Sequence, residues 1–317
     1  MIENKKIFIT GAGGFVGSYF LERLMRKNDV FIILRKSYKN YWRLRLFEKN
    51  YRIIKCDLTS KEDIIKVLKR EKPDITLHFA AYGAYPATQK DIEELIKVNV
   101  IGTINLIEGC IKYSDISIIV GSSSEYGEVK TPMKEEGPTN PNLLYGATKL
   151  FTTNWAKIRA RDENKSMFIV RPFSIYGPYE EPRRLIPYLL SRIILNKEIE
   201  LSSPTNVRDF IFIEDFFDAL NFLIKQADKL EPGEIINIGS GKETSIEELV
   251  KILEKQIVKR KLNIRWGKAS TQKEIKSWYA DIRKIKKIGF MPRYKLKDGL
   301  LKTKEWIEKN IQYYKVD

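Results

Sequence analysis

The sequence predicts an α/β protein in which a doubly wound parallel sheet, covered by helices on both faces, is followed by a smaller C-terminal lobe. Strand-like apolar runs alternate with amphipathic segments at the spacing of βαβ units over the first two thirds of the 317 residues. A glycine-rich turn joins the first strand to the first helix. Beyond about residue 174 the alternation stops and prolines separate short elements. With 43% hydrophobic and 31% charged residues, the composition is that of a globular protein with a sizeable core.

The apolar periodicity places each element of the predicted sheet domain, which spans residues 1–173. Strands are predicted at residues 6–10, 30–34, 52–55, 75–79, 116–121 and 168–171. Helices are predicted between them at residues 14–27, 61–69, 92–111 and 145–163. Residues 174–317 are predicted to form mainly the smaller, substrate-binding lobe, with helices at 215–226, 245–258 and 296–310 and a return of the chain to the sheet domain around 205–240.

The formal charge of +16 is concentrated in the C-terminal part of the chain. Residues 251–317 hold 20 Lys and Arg against 7 Asp and Glu, a net charge of +13, whereas residues 1–250 carry only +3. Because the lysines are spread through helical and loop segments, a solvated face is the favoured interpretation. Attraction of an anionic substrate or membrane surface is left open. Nucleic-acid binding is disfavoured because the segment shows no recognition helix or zinc-ligand spacing.

The two cysteines, Cys56 and Cys110, lie in segments expected to be buried. Two cysteines and one histidine supply neither a disulfide framework nor a zinc site. No apolar run reaches the ~20 residues that span a bilayer, and the first residues lack the hydrophobic region of a signal peptide. The sequence therefore predicts a cytoplasmic protein with no membrane span and no metal.

The glycine-rich turn has the form of a phosphate-binding motif. Residues 7–17 read IFITGAGGFVG, a strand followed by glycines at the spacing G-x-x-G-x-x-G and then a helix. Gly11 can make the tight turn, Gly14 lets the backbone approach a pyrophosphate, and Gly17 allows close packing of helix on strand. The helix N terminus offers free N–H groups to phosphates. A Rossmann-type dinucleotide site is predicted, with contacts from Gly11, Gly13, Gly14, Phe15, Val16 and Gly17.

The end of the second predicted strand bears on which dinucleotide is bound. Arg35, 24 residues after Gly11, stands near the position where an acidic residue would bind the ribose 2′-hydroxyl of NAD. Arg35 and Lys36 instead offer two cations that suit a 2′-phosphate. The sequence thus favours NADP(H), with NAD as the alternative. Asp57, after the third strand, is expected to contact the adenine amino group or to cap a turn.

Three side chains predict hydride-transfer chemistry at the C-terminal edge of the sheet. Tyr145 and Lys149 lie one helical turn apart, so we expect them within about 6 Å of each other. A free tyrosine, with a pKa of about 10, is a poor base at neutral pH, but a neighbouring ammonium favours its phenolate. Ser122 follows the fifth strand, and its hydroxyl can hold the oxygen of a carbinol or carbonyl while Tyr145 handles the proton. A surface Tyr/Lys pair is the alternative for these two residues taken alone.

Together these motifs resemble those of the extended short-chain dehydrogenase/reductases that act on nucleotide sugars, the NAD(P)-dependent epimerase/dehydratase group. The resemblance covers nearly the whole chain and rests on residues 10–18, 57–58, 78–81, 99, 122–127, 145–149, 171–178 and 208–210. It implies that Ser122 is the catalytic serine, Tyr145 the acid/base and Lys149 its helper. Asn99 would support the surroundings of Lys149, and His78 is interpreted as structural. Implied cofactor contacts are Leu58, Phe79, Ala80, Ala81, Asn99, Tyr145, Lys149 and Pro172.

The residues that follow Ser122 bear on which reaction of this family is expected. Dehydratases of this family carry an Asp-Glu pair where Ser123 and Ser124 stand here, and Glu125 is displaced by one residue, so dehydration is disfavoured. The favoured interpretation is an NADPH-dependent reductase of a CDP-, dTDP- or GDP-linked 4-keto-6-deoxyhexose in surface-polysaccharide biosynthesis. The alternative is a nucleotide-sugar 4-epimerase with tightly bound NAD.

The substrate contacts and the assembly are further expectations. Residues 82–88 follow the fourth strand and are expected to line the sugar pocket, while arginines of the lobe can neutralise a diphosphate. The predicted substrate contacts are Tyr82, Gly83, Ala84, Tyr85, Ser123, Ser124, Ser174, Arg183 and Arg208. The helices at 92–111 and 145–163 are apolar enough to pair with those of a second copy, which predicts a homodimer through a four-helix bundle.

Overall fold

The computed structural model describes residues 1–35, 42–47, 50–84, 91–267 and 276–315. Lys36 and Tyr85, a predicted cofactor contact and a predicted substrate contact, lie outside the described residues. The strands are β1 (Lys6–Thr10), β2 (Asp29–Leu34), β3 (Arg52–Lys55), β4 (Ile75–His78), β5 (Ile116–Val120), β6 (Met167–Pro172), β7 (Ser174–Tyr176), β8 (Ile199–Leu201), β9 (Val207–Arg208), β10 (Phe210–Phe212), β11 (Ile235–Ile238), β12 (Thr244–Ser245), β13 (Ile264–Trp266) and β14 (Ser277–Trp278). The α-helices are α1 (Phe15–Leu24), α2 (Lys61–Glu71), α3 (Ile92–Ile96), α4 (Thr103–Tyr113), α5 (Leu144–Asp162), α6 (Leu185–Ile194), α7 (Ile213–Lys225), α8 (Ile246–Ile252), α9 (Arg283–Ile288) and α10 (Leu296–Lys309).

The chain forms two compact units. The first comprises Met1–Val129, Glu135–Pro172 and Leu220–Asn237. The second comprises Lys130–Lys134, Phe173–Ala219 and Ile238–Asp317. Within the described residues, no helix combines the length and the apolar character needed to cross a membrane.

The first unit is built on a seven-stranded sheet. The strand order is β11-β6-β5-β4-β1-β2-β3, and the pairings from β6 through to β3 are parallel. The chain runs outward from β1 in one direction through β2 and β3, and in the other through β4, β5 and β6. This reversal next to β1 is a topological switch point, the place where open α/β sheets bind ligands at the carboxyl ends of their strands. The predicted doubly wound α/β fold is confirmed.

The predicted strands agree with the structure because buried parallel strands are continuous apolar runs. The six predicted strands are all in the sheet, each within one residue of its expected ends. The seventh, β11, follows Gly233 closely and is only four residues long, and its position in this sheet was not specifically predicted. Phe8 of β1 and Phe31 of β2 stack with ring centroids 4.8 Å apart in the core of the unit.

Helix predictions were correct in position and less so in detail. The helix expected at residues 92–111 consists of α3, a wider π-helical stretch over residues 97–102 and then α4. The helix expected at 145–163 is α5, and it begins one residue earlier. A second correction concerns Pro187, because the prolines beyond residue 174 are predicted to separate short elements and this one lies within α6. Pro187 stands in the first turn of this helix, where its missing N–H breaks no intrahelical bond.

Both cysteines are buried and free, as expected. Burial raises the pKa of the Cys56 thiol to about 12 and that of Cys110 to about 11, so neither is a ready nucleophile at neutral pH.

The second unit contains small sheets, which pair β12, β9 and β14, β10 with β7, and β13 with β8. Its interior is organised by Asp209, whose buried carboxylate accepts hydrogen bonds from the backbone N–H groups of Ser240, Gly241 and Ala280 at 2.6–3.1 Å. The Asp215 carboxylate accepts from the backbone N–H groups of Arg293 and Tyr294 and thereby fixes the segment before α10.

Candidate active site

The glycine turn after β1 is constrained by close backbone contacts. Gly11 has a φ of +71°, and a Cβ there would lie 2.5 Å from the backbone nitrogen of Ala80 at the end of β4. A Cβ on Gly17 would lie 2.3 Å from the Gly11 carbonyl oxygen. The Gly14 N–H closes the turn by donating to Gly11 O at 2.9 Å. Any side chain at Gly11 or Gly17 would therefore force the turn away from β4 or lift α1 off the strand.

A cavity of about 230 Å³ lies against this turn, in the first unit. It is lined by Gly11, Gly13, Gly14, Ile33, Leu34, Arg35, Cys56, Asp57, Leu58, Thr59, Phe79, Ala80, Ala81, Tyr82 and Val98. The N-cap of α1, Gly14, makes no side-chain capping bond, so the helix end is suited to an anion. A glycine cradle, an uncapped helix start and apolar walls fit the pyrophosphate and adenosine of a dinucleotide.

Several of the cofactor contacts predicted from the sequence line this cavity, and other lining residues were not predicted. Asp57 lines the cavity and also caps a turn, because its Oδ1 accepts from the N–H and the hydroxyl of Thr59 at 2.9 and 2.8 Å. The missed lining residues are Ile33, Leu34, Cys56, Thr59 and Val98. Ile33 and Leu34 end β2 and Cys56 follows β3, so their sequence signal was a buried strand, whereas Thr59 lies in a turn and Val98 in the π-helical stretch.

Arg35 has a partner that the sequence did not reveal. Its guanidinium forms an ion pair with Glu94, in the first turn of α3. The side chains of Arg35 and Glu94 are 37% and 28% exposed. Since one of the two cations expected to bind a 2′-phosphate is neutralised, and the other, Lys36, lies outside the described residues, the structure does not support the predicted preference for NADP(H).

His78 lies in the core beneath the site and links three elements. Its Nδ1 is 2.7 Å from the Thr10 hydroxyl, and its Nε2 is 2.9 Å from the Thr103 hydroxyl. The Thr10 hydroxyl also accepts from the Ala80 N–H at 3.2 Å. Burial, with a smaller effect of the Lys149 charge, lowers the pKa of His78 to about 3. The imidazole is therefore neutral and joins β1, β4 and α4.

Lys149 and Tyr145 stand as their spacing predicts. The Lys149 ammonium is 5.9 Å from the centre of the Tyr145 ring, and it donates to the Val120 carbonyl at 2.8 Å. Lys149 is 3% exposed, and burial lowers its pKa to about 8, although the charge of Glu125 opposes this effect. The lysine therefore remains mostly protonated at neutral pH, as stabilisation of a tyrosinate requires.

Ser122 begins a short 3₁₀ turn that packs on the start of α5. Its hydroxyl accepts from the Ser124 N–H at 3.0 Å. A Cβ on Gly146 would lie 2.4 Å from the Ser124 carbonyl oxygen, so the residue after Tyr145 touches this turn. The segments that carry Ser122, Tyr145 and Lys149 are thus in direct contact at the carboxyl end of β5.

Asn99 connects the loop after β4 with α5. Its Oδ1 accepts from the Tyr82 N–H at 2.7 Å, and its Nδ2 donates to the Tyr82 carbonyl at 2.9 Å and to the Thr148 hydroxyl at 3.2 Å. Asn99 therefore contacts α5 at Thr148, the residue that precedes Lys149.

A buried ion pair lies behind Ser122. Glu125 accepts from the Ser122 N–H at 2.8 Å, from the Thr153 hydroxyl at 2.9 Å and from Arg171 Nε at 2.7 Å. Glu125 is fully buried, and Arg171 is 2% exposed. Arg171 also lies 4.6 Å from the Tyr126 ring. The signal available in the sequence was Arg171 at the end of one strand predicted to be buried and Glu125 a few residues after another.

The other predicted contacts are placed as follows. In the first unit, Tyr82, Gly83 and Ala84 follow β4, Ser123 and Ser124 are half-buried in the 3₁₀ turn, and Pro172 ends β6. In the second unit, Ser174 begins β7, Arg208 is half-buried on β9, and Arg183 is exposed in the turn before α6.

Comparison with known proteins agrees with this geometry. The model of the NAD dependent epimerase/dehydratase family matches residues 7–239. A putative UDP-glucose 4-epimerase of Methanocaldococcus jannaschii is 28% identical over 321 residues, covering 96% of this chain and 99% of the relative. The dTDP-D-glucose 4,6-dehydratase of Bos taurus is 26% identical, covering 98% and 91%. A solved structure of UDP-glucuronic acid 4-epimerase from Bacillus cereus, in complex with UDP-glucuronic acid and NAD, is 28% identical with a TM-score of 0.84, covering 96% and 99%.

Proposed function

Because the chain belongs to the NAD-dependent epimerase/dehydratase family of extended short-chain dehydrogenase/reductases, we propose that it is a nucleotide-sugar 4-epimerase that uses NAD. The observation that carries the proposal is the contact between the turn bearing Ser122 and the start of α5 bearing Tyr145 and Lys149. Relatives named as 4-epimerases, one of them solved with NAD, support it.

Dehydration is disfavoured by the position of the nearest carboxylate. Elimination of water from a sugar needs acid/base groups beyond those that handle the C4 hydroxyl. Ser123 and Ser124 offer only hydroxyls, and Glu125 is buried in its pair with Arg171. The 26% identity to a 4,6-dehydratase therefore supports a shared family and does not assign dehydration to this chain.

Reduction of a 4-keto-6-deoxyhexose, favoured by the sequence, loses its main argument with the Arg35–Glu94 ion pair. That interpretation depended on NADPH as a free co-substrate, and hence on unpaired cations at the end of β2. It remains the competing outcome of the assay below.

The side chains have separate tasks in the proposed reaction. The Ser122 hydroxyl holds the C4 oxygen, and Tyr145 removes its proton as a general base. The Lys149 ammonium favours the tyrosinate by its charge. A bound NAD would supply the hydride acceptor for C4 and, once the 4-keto sugar has turned its other face, the hydride donor. Tyr145 then gives the proton back to the same oxygen, so one acid/base serves both directions.

The assay uses UDP-glucose, UDP-glucuronic acid and UDP-N-acetylglucosamine deuterated at C4, with the full chain and NAD. We expect one of them to convert to its C4 epimer with the deuterium retained, seen by NMR, without net formation of reduced nicotinamide. A control with NADPH and 4-keto-6-deoxy nucleotide sugars tests the reductase. Stoichiometric oxidation of NADPH in this control, without epimerisation of any UDP-sugar, would refute the epimerase proposal and support the reductase.

The proposal includes the substrate contacts predicted from sequence. Tyr82, Gly83, Ala84, Ser123 and Ser124 are assigned to the sugar, and Ser174, Arg183 and Arg208 to the remainder of the nucleotide sugar. Arginine side chains suit a diphosphate because the guanidinium can donate two parallel hydrogen bonds.

The proposal also includes a homodimer. One face of the helical segment 92–113 and of α5 exposes large apolar side chains, each 44–57% exposed: Ile92, Ile96, Ile101, Leu144, Phe151 and Ile158. Large exposed apolar side chains gathered on two helical segments favour an interaction site. We expect a dimer by light scattering in the wild type and a monomer in Phe151→Glu/Ile158→Glu. A monomeric wild type would refute this part.

A further inference from the structure

Charged side chains lie at the edge of the cavity where β2 ends. Arg35 and Asp57 are the charged side chains among the described residues that line the cavity. The Asp57 carboxylate is engaged by Thr59. Arg35 is therefore the described cation positioned to meet a phosphate there, and its charge is the one that Glu94 neutralises.

Glu94 reaches Arg35 from a different part of the chain. It lies in the first turn of α3, and its own N–H donates to Asp91 Oδ1 at 2.9 Å, which caps the helix. The cap orders the backbone that carries Glu94, and the Glu94 carboxylate reaches Arg35 from this turn. A carboxylate in this region is what an NAD site places near the ribose, usually from β2 itself.

We propose that Glu94 is a specificity-determining residue that makes the site select NAD over NADP by pairing with Arg35. The inference rests on the proposed use of a dinucleotide and adds how its form is chosen. Two effects act together. The pair withdraws the guanidinium from a 2′-phosphate, and the carboxylate opposes the approach of the phosphate by like-charge repulsion.

The test compares binding of NADH and NADPH to the full chain after removal of any copurified nucleotide, by titration of nicotinamide fluorescence. The wild type should bind NADH at least as tightly as NADPH. Glu94→Gln keeps the size of the side chain and removes its charge, and it should tighten NADPH binding by ~10-fold or more while NADH changes by less than ~3-fold, since a freed guanidinium forms charge-assisted bonds to phosphate.

Two further variants separate the ion pair from general electrostatics. Glu93→Gln removes a carboxylate from the adjacent position of α3, one that is 83% exposed and faces Lys97 at 3.6 Å, and should leave both affinities unchanged. In an Arg35→Ala background, Glu94→Gln should no longer improve NADPH binding, because no guanidinium is left to free.

The outcomes are distinct. Wild-type preference for NADPH, an unchanged NADPH/NADH ratio in Glu94→Gln, or an equal effect of Glu93→Gln would each overturn the inference. A protein that shows the predicted ratios but epimerises no nucleotide sugar would refute the proposed reaction and leave the role of Glu94 standing. Failure of the wild type to bind either dinucleotide would overturn both.

Discussion

Arg171→Met is expected to destabilise the first unit strongly, because it leaves the Glu125 carboxylate buried without its main cation. Glu125 would keep the Ser122 N–H and the Thr153 hydroxyl as donors, both on Oε1, but Oε2 would lose the Arg171 bond of 2.7 Å. The Lys149 ammonium, whose charge interacts with that of Glu125, offers partial compensation.

The expected magnitude follows from burial. Breaking a buried ion pair by removing one partner costs about 3–5 kcal/mol. Since two donors and the field of Lys149 remain, we expect a loss near the lower end, about 3 kcal/mol in the free energy of unfolding. The Arg159–Glu108 pair in the same unit is the matched control, because its side chains are 27% and 22% exposed. Arg159→Met should cost only about 1 kcal/mol.

The assay is urea unfolding followed by circular dichroism, with the slope on denaturant required to stay constant between variants. A double variant, Glu125→Leu/Arg171→Met, should recover most of the loss of Arg171→Met, because replacing both partners of a buried pair by apolar groups is often neutral. The reasoning fails if Arg171→Met costs no more than Arg159→Met, or if the double variant is less stable than Arg171→Met alone.

Two further predictions concern the reacting groups. Tyr145→Phe should lower kcat by ~10³-fold, within the range for loss of a general base, while the NAD dissociation constant changes by less than ~2-fold; a full rate would remove Tyr145 from its role. Burial lowers the pKa of Lys149 to about 8, below the ~10.4 of a lysine in the unfolded chain. Between these two pH values Lys149 is protonated in the unfolded chain and mostly neutral in the folded one. The free energy of unfolding should therefore rise with pH in this window. Lys149→Met should remove this rise of Tm with pH. It should also raise the free energy of unfolding at pH 7 by about 3 kcal/mol, less the contribution of the lost hydrogen bond to Val120. A Tm that rises with pH as steeply in Lys149→Met as in the wild type would contradict this prediction.

The sequence was sufficient where a signal is local. The strands of the sheet are apolar runs, the turn after β1 needs glycine at Gly11 for a positive φ, and Tyr145 and Lys149 are related by one helical turn. Each of these depends on residues within a few positions of one another, so periodicity and spacing reveal them.

What the sequence could not show depends on distant residues. Arg35 and Glu94 are 59 positions apart, and nothing near Arg35 indicates that a carboxylate from another helix neutralises it. Glu125 and Arg171 are 46 positions apart and meet only because β5 and β6 are neighbours in the sheet. The predicted preference for NADP(H) assumed that Arg35 has no carboxylate partner, and the tertiary structure pairs it with Glu94.

The buried pair also bounds the chemistry that the site can perform. At the carboxyl ends of β4 and β5, as far as the structure describes them, Glu125 is held by Arg171, and the neutral imidazole of His78 is held between two threonine hydroxyls. In the proposed reaction, proton transfer is then left to the hydroxyl of Ser122 and the phenol of Tyr145, with Lys149 as a fixed charge. Such a set can deprotonate and reprotonate one oxygen, which suffices for oxidation and reduction at a single carbon. Elimination requires a second acid/base aimed at a neighbouring carbon, so introducing a carboxylate at Ser124 would be the first requirement for changing the reaction.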